Sequence, residues 1–196
     1  MNTTSVDPPI FQCIESALFF SYIMEGAPVL QQSPTGIVLE RLRQLAGLAP
    51  AYTEPGTIRF GQLTPLEKRA QCAIVRAAVE HHLTAPEAGA VKARYGRNGQ
   101  PCKAQGIEGV RNYCMPLLSI QGDDPTLAMA WGVFGEKKQR EFLSQRTIAN
   151  EFGLSQSTVC RDMKRIRFTG RALLNRAIKR LQPMFEQQGL VGDKTD

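Results

Sequence analysis

The sequence predicts an all-α fold, a helical body ending in a C-terminal helix-turn-helix. Three observations carry that prediction. No segment of the 196 residues sustains the two-residue alternation of a half-buried strand. Two stretches, "TPLE" at Thr64–Glu67 and "TAPE" at Thr84–Glu87, place threonine, proline and glutamate where a helix start needs a cap, a fixed φ and a returning acceptor. Around Gly153, apolar residues fall at helical offsets on both sides of a single glycine.

Taken in order, residues 1–9 read as a disordered tail. "PIFQCIESALFFSYIMEG" reads as a first helix ending near Gly26. Its apolar run "IESALFFSYIM" follows Asp7 and no cation, lacks a small-residue cleavage pattern, and is too short to span a bilayer, so a buried helix of a cytoplasmic protein is expected. "APVLQQSPTG" is a turn-rich link into "IVLERLRQLAG", a second helix closed by Gly47. Residues 48–63 form a surface loop. The Thr64 box then opens a helix running to about His82, whose closing His81–His82 pair suits the negative end of the helix dipole. The Thr84 box opens another, stopped by Gly96. "GRNGQPC" is a loop, residues 104–115 a helix ended by Pro116, and Pro125 begins one that runs to about Gly135.

Composition narrows the partners. With 42% hydrophobic residues the chain can bury a sizeable core. Five scattered cysteines without a Cys-x-x-Cys pair point to reduced thiols in place of a metal site, and no cofactor is expected. The net charge is +6, yet Lys137 to Arg180 holds twelve cations against Glu141, Glu151 and Asp162, a local +9 that leaves the remainder at −3. A basic last third on a neutral-to-acidic body suits double-stranded DNA better than membrane, since no broad apolar face accompanies the charge.

The stretch "RTIANEFGLSQSTVCRDMKRIR" says where that DNA would sit. Ile148, Phe152, Leu154 and Val159 are placed to form a small core between two crossing helices, with Ala149 at their contact and Gly153 supplying the positive φ of the turn. Ser155 caps the second helix. That leaves Gln156, Ser157, Thr158, Cys160, Arg161 and Lys164 outside the core. An ordinary hairpin would satisfy the apolar offsets equally well. The outward Gln, Ser, Thr and Arg side chains favour base edges and phosphates instead. The predicted DNA contacts are Arg146, Thr147, Gln156, Ser157, Thr158, Arg161, Lys164, Arg165, Arg167 and Arg171. After Arg167 a basic helix follows, with Leu173, Ala177, Leu181 and Met184 as its packing stripe.

"IANEFGLSQSTVCRDMKRI" resembles the helix-turn-helix of sigma-factor region 4 and similar response-regulator domains, matched at Ile148, Ala149, Phe152, Gly153, Leu154, Ser155, Thr158, Val159 and Arg161. A longer resemblance uses "ALFFSYIMEG", "LTPLEKRAQCAIVRAAVEHHL", "VKARYG" and the C-terminal motif with its basic helix. In that order they resemble the phage Q-type antitermination proteins of the small, helix-turn-helix-bearing kind. The resemblance implies a factor that binds DNA near a late promoter, engages bacterial RNA polymerase carrying its sigma factor, and lets the enzyme read through terminators. On that reading residues 10–135 form a body for polymerase or self-interaction, and residues 136–196 bind DNA, with self-association on DNA possible. A repressor or activator acting by operator occupancy is the alternative.

Other signals point to structure. Trp131 reads as core. "ARYGRNGQPCK" carries Lys92, Arg94, Arg97 and Lys103 around two glycines but no nucleotide-binding signature, and a loop closing two helices is the simpler reading. Catalysis is not expected. No paired carboxylates, His-x-x-x-His or Gly-x-Ser-x-Gly occur, and adjacent His81 and His82 point apart on a helix.

Overall fold

A computed structural model of the chain describes residues 9–25, 63–97 and 100–192. The expected tail through residue 8, the link over 27–36, the second helix over 37–47 and nearly all of the loop over 48–63 lie outside the described residues. Within them the chain is mostly helical. Eight α-helices occur: α1 (Ile14–Glu25), α2 (Pro65–His82), α3 (Ala85–Tyr95), α4 (Pro101–Cys114), α5 (Asp123–Phe134), α6 (Lys137–Phe142), α7 (Gln145–Glu151) and α8 (Gln156–Gln187). A 3₁₀ turn, Met115–Leu117, follows α4. The described residues contain no strand, and none of their helices is long and apolar enough to cross a membrane.

Local chemistry sets several boundaries. At α2, Glu67 Oε2 accepts from the Thr64 amide and hydroxyl, both at 2.7 Å, while the Glu67 amide donates to Thr64 Oγ1 at 3.3 Å. At α3, Glu87 Oε2 accepts from the Thr84 amide and hydroxyl at 3.1 and 2.8 Å. Other starts differ from expectation. The first helix begins at Ile14, because the backbone of Phe11 is already committed: its amide donates to Leu190 O and its carbonyl accepts from Gly192 N. A parallel bridge to Val191 thus ties the first described residues to the last. Pro101 starts α4 three residues early, in the N-terminal position where its missing N–H costs nothing. Asp123 likewise starts α5 ahead of Pro125. Residues 137–142, unassigned from sequence, form α6 behind a Glu136–Gln139 capping box.

Two cores result. The first joins Ile14, Leu18 and Tyr22 of α1, Val75 and Val79 of α2, and Leu181 and Phe185 of α8. The second joins Ile107 and Val110 of α4, Met129 of α5, Ile148 of α7, and Val159, Met163 and Ile166 of α8, with Trp131 half-buried against it. Gly106 lets α4 press on α3: a Cβ there would lie 2.6 Å from Lys92 Cβ and 2.8 Å from Gly89 O, inside contact distance.

The helix that closes the chain serves both cores. The sequence reading separates a recognition helix from a following basic one; the structure has a single helix of 32 residues, with Pro183 inside it. An interior proline costs about 3 kcal/mol. Leu181 and Phe185 flank it fully buried, and each such side chain contributes roughly 1.5–3 kcal/mol, enough to offset the loss. The packing stripe is Leu173, Ala177, Leu181 and Phe185; Met184, expected in it, is half-buried beside them.

Glu87 locks α8 to α3. Its carboxylate is buried, and Arg180 NH1 lies 3.4 Å from Oε2 while Arg176 Nε lies 4.0 Å from Oε1. Burial alone would raise its pKa. The two Thr84 hydrogen bonds and the two arginines outweigh that and hold it below the ordinary glutamate value of 4.5. A carboxyl depressed in the folded state stabilises above its unfolded pKa and ceases to as pH falls through the folded value. Thermal melts from neutral pH down through 4.5 are therefore expected to show an acid loss of stability that is smaller in Glu87→Gln. An identical acid limb in the variant would remove Glu87 from the account.

Candidate nucleic-acid interface

Between α7 and α8 the chain turns in four residues. Ser144 caps α7, accepting from the Thr147 amide at 3.2 Å. Phe152 N donates to Ile148 O, and Leu154 N to Ala149 O at 2.8 Å, closing the helix. Gly153 follows at φ +63°, a left-handed conformation that L side chains disfavour, with open space where a Cβ would be. Ser155 stands at the N-cap of α8, and its carbonyl accepts from the amides of Thr158 and Val159. Its hydroxyl does not cap the helix; it lies 2.8 Å from Ser157 Oγ.

The inner face is as the spacing requires. Ile148, Ala149 and Val159 are buried, with Phe152 and Leu154 at the edge. The core they join is not the small private one expected between two helices. It is continuous with Ile107, Val110 and Met129 of the body, because Met163, Ile166 and Leu173 extend the same side of α8.

The ten predicted contacts fall into distinct places. Ser157, Arg161 and Lys164 share the outward stripe of α8, spaced one turn apart, and are exposed. Arg146 at the start of α7 meets Gln156 and Arg167 across a groove of about 520 Å³ also lined by Lys137, Arg140 and Glu141. Arg171 continues the Lys164–Arg167 flank. Thr147 and Thr158 are half-buried, and the Thr147 hydroxyl is 2.7 Å from Ser144 Oγ.

Arg165 is brought elsewhere. Its NH1 donates to Leu117 O, Ser119 Oγ and Asp162 Oδ1 at 3.2, 3.0 and 3.2 Å, so its guanidinium is turned to the body.

Charge pairing divides α8 lengthwise. On one flank Arg165 meets Asp162, and Arg176 and Arg180 meet Glu87. On the other, Lys164, Arg167 and Arg171 form no ion pair with any described residue. The same holds for Arg140, Arg146 and Arg161. No known protein family and no curated protein matches the chain. The arrangement itself is what speaks for the site: a helix anchored by its apolar face and one flank, with cations and short polar groups on what remains.

Three residues escape the sequence reading. Asp162 counts there as one of three acids in a basic region, but it is fully buried, and its Oδ2 accepts from the amides of Ser119 and Ile120, both at 2.8 Å. Nothing local marks it, since its partners lie more than forty residues earlier. Arg140 joins the groove only because α6 forms. Phe168 is 77% exposed on the stripe of Arg161 and Lys164, visible in advance only if the helix is known to pass Arg167.

Proposed function

We propose that the chain is a sequence-specific DNA-binding transcription regulator in which α7 and α8 act as a helix-turn-helix, the first turns of α8 entering the major groove. The observation that carries this reading is the one-sided pairing of α8. A packing hairpin has no need to leave Arg146, Arg161, Lys164, Arg167 and Arg171 without an ion pair to any described residue on a surface shared with Gln156 and Ser157. Duplex DNA supplies what such a surface lacks: phosphates for the cations, and base edges for Gln156 and Arg161. Asp162 and Glu87 support the role indirectly by holding α8 rigid on the body.

The regulator we propose is an antitermination factor of the bacterial cytoplasm that engages RNA polymerase holoenzyme, on the strength of the resemblance in "ALFFSYIMEG", "VKARYG" and the C-terminal motif. The body has a surface suited to a second partner. Leu66, Ala70, Ala73, Ile74 and Ala77 of α2 are exposed together on one side of that helix. In a purified transcription reaction, on a template whose promoter region the protein footprints, it is expected to raise readthrough of a terminator placed far downstream. The effect should persist once polymerase has left the promoter. Leu66→Asp with Ile74→Asp should lower readthrough and leave the footprint intact. A protein that shortens or blocks transcripts from that promoter and never extends them is a repressor acting by occupancy.

A further inference from the structure

Arg94 and Arg97, on the corner between α3 and α4, are far from the helix pair in sequence but share its surface. Arg140 of α6 is the hinge of that surface, lining three adjoining grooves. The first is the groove of Arg146 and Gln156 described above. The second, about 440 Å³, lies between α3, α5 and α8 and is lined by Arg94 together with Arg167 and Arg171. The third, about 500 Å³, runs on past Arg94 to Arg97. Arg94 and Arg97, like Arg140, Arg167 and Arg171, form no ion pair with a described residue. The acids lining the second and third grooves are Glu15 and Glu136. Beneath the corner, buried Lys103 donates its Nζ to Ala93 O at 2.5 Å and so ties α4 to the end of α3.

We propose that the α3–α4 corner, through Arg94 and Arg97, is a second phosphate-contacting surface, continuous through Arg140 and Arg167 with the first, that holds the duplex beyond the groove entered by α8. The inference rests on the DNA-binding reading above. It assigns the corner to duplex backbone because its cations continue those beside α8; Tyr95 and Phe134 are half-buried, and stacking of single-stranded bases on Phe19, which is 55% exposed in the third groove, is the competing outcome of the test. The cations are exposed, spread over three helices, and lie on the unpaired flank of α8, the flank from which a duplex would emerge.

The test uses the full-length protein, fluorescence anisotropy, and two random-sequence duplexes of about 12 and about 30 base pairs, the shorter spanning little more than one helical turn. Each cation that neutralises a phosphate adds roughly 0.9 to the slope of log affinity against log salt. Arg94→Ala with Arg97→Ala is expected to lower that slope by about 1.8 on the longer duplex and to leave the shorter one unchanged. Arg94→Lys with Arg97→Lys should restore it, since a point charge suffices for a phosphate, and also covers a failure of the alanine variant to fold. Equal slopes for wild type and alanine variant on the longer duplex would overturn the corner's role while leaving α8 as the DNA contact. Loss confined to a single-stranded oligonucleotide would overturn the duplex assignment. Wild-type protein that binds neither duplex would overturn the DNA-binding reading itself, and this inference with it.

Discussion

Asp162→Ala is expected to destabilise the protein by about 1–4 kcal/mol, because it removes the acceptor of two backbone amides: the buried one of Ile120, worth roughly 1–3 kcal/mol when left unsatisfied, and the part-buried one of Ser119, which costs less. Ser119 and Ile120 lie between α4 and α5, and their N–H groups meet Asp162 Oδ2 at 2.8 Å; Asp162 and Ile120 are buried, while Ser119 is exposed. The carboxylate also faces Arg165 NH1, which keeps Leu117 O and Ser119 Oγ when the aspartate is gone. The cost therefore falls on the two amides, and on the grip of the 117–120 segment on α8. Urea denaturation reads it as a lower midpoint at unchanged slope. Asp162→Asn, which retains one carbonyl oxygen, should lose less. An unchanged midpoint in the alanine variant would mean that water reaches both amides.

Arg161→Ala and Gln156→Ala are each expected to weaken binding to a duplex selected from a random library by about 1–3 kcal/mol, roughly 5- to 150-fold, while random duplex loses less. Both side chains are exposed at the N-terminal end of α8, and Arg161 forms no ion pair with a described residue. Arg165→Ala supplies the contrast. It lies one turn beyond Arg161 in sequence, but its guanidinium is engaged by Leu117, Ser119 and Asp162, so DNA affinity should change little. Competition gel shifts decide the matter. Selected and random affinities falling equally in Arg161→Ala would make that residue a phosphate contact and move base reading elsewhere on the helix.

What could be read in the chain itself was what short-range chemistry fixes. Thr64 and Glu67, or Thr84 and Glu87, are three residues apart, so their capping bonds follow from spacing alone. The turn at Gly153 and the burial of Ile148 and Val159 follow from local offsets in the same way. Helix identity was legible because it is decided within a few residues. Where elements end was less so: Phe11 is held out of α1 by Leu190 and Gly192 at the far end of the chain.

The length of α8 and the fate of its cations were decided only by the tertiary structure. The stripe to Met184 already runs past Pro183; what only the fold supplies is the joining of the recognition and basic helices into one, and the burial of Leu181 and Phe185 against α1 and α2 that offsets the proline. In the sequence Arg165, Arg167, Arg171, Arg176 and Arg180 are alike. The fold sets Asp162 and Glu87 on one flank, where their desolvated carboxylates need counter-charges, and so consumes Arg165, Arg176 and Arg180. Arg167 and Arg171 form no ion pair with a described residue. Ion pairing depends on distance in space between groups far apart in sequence, so which arginines the fold engages is settled only when α8 lies against α3 and the 117–120 segment.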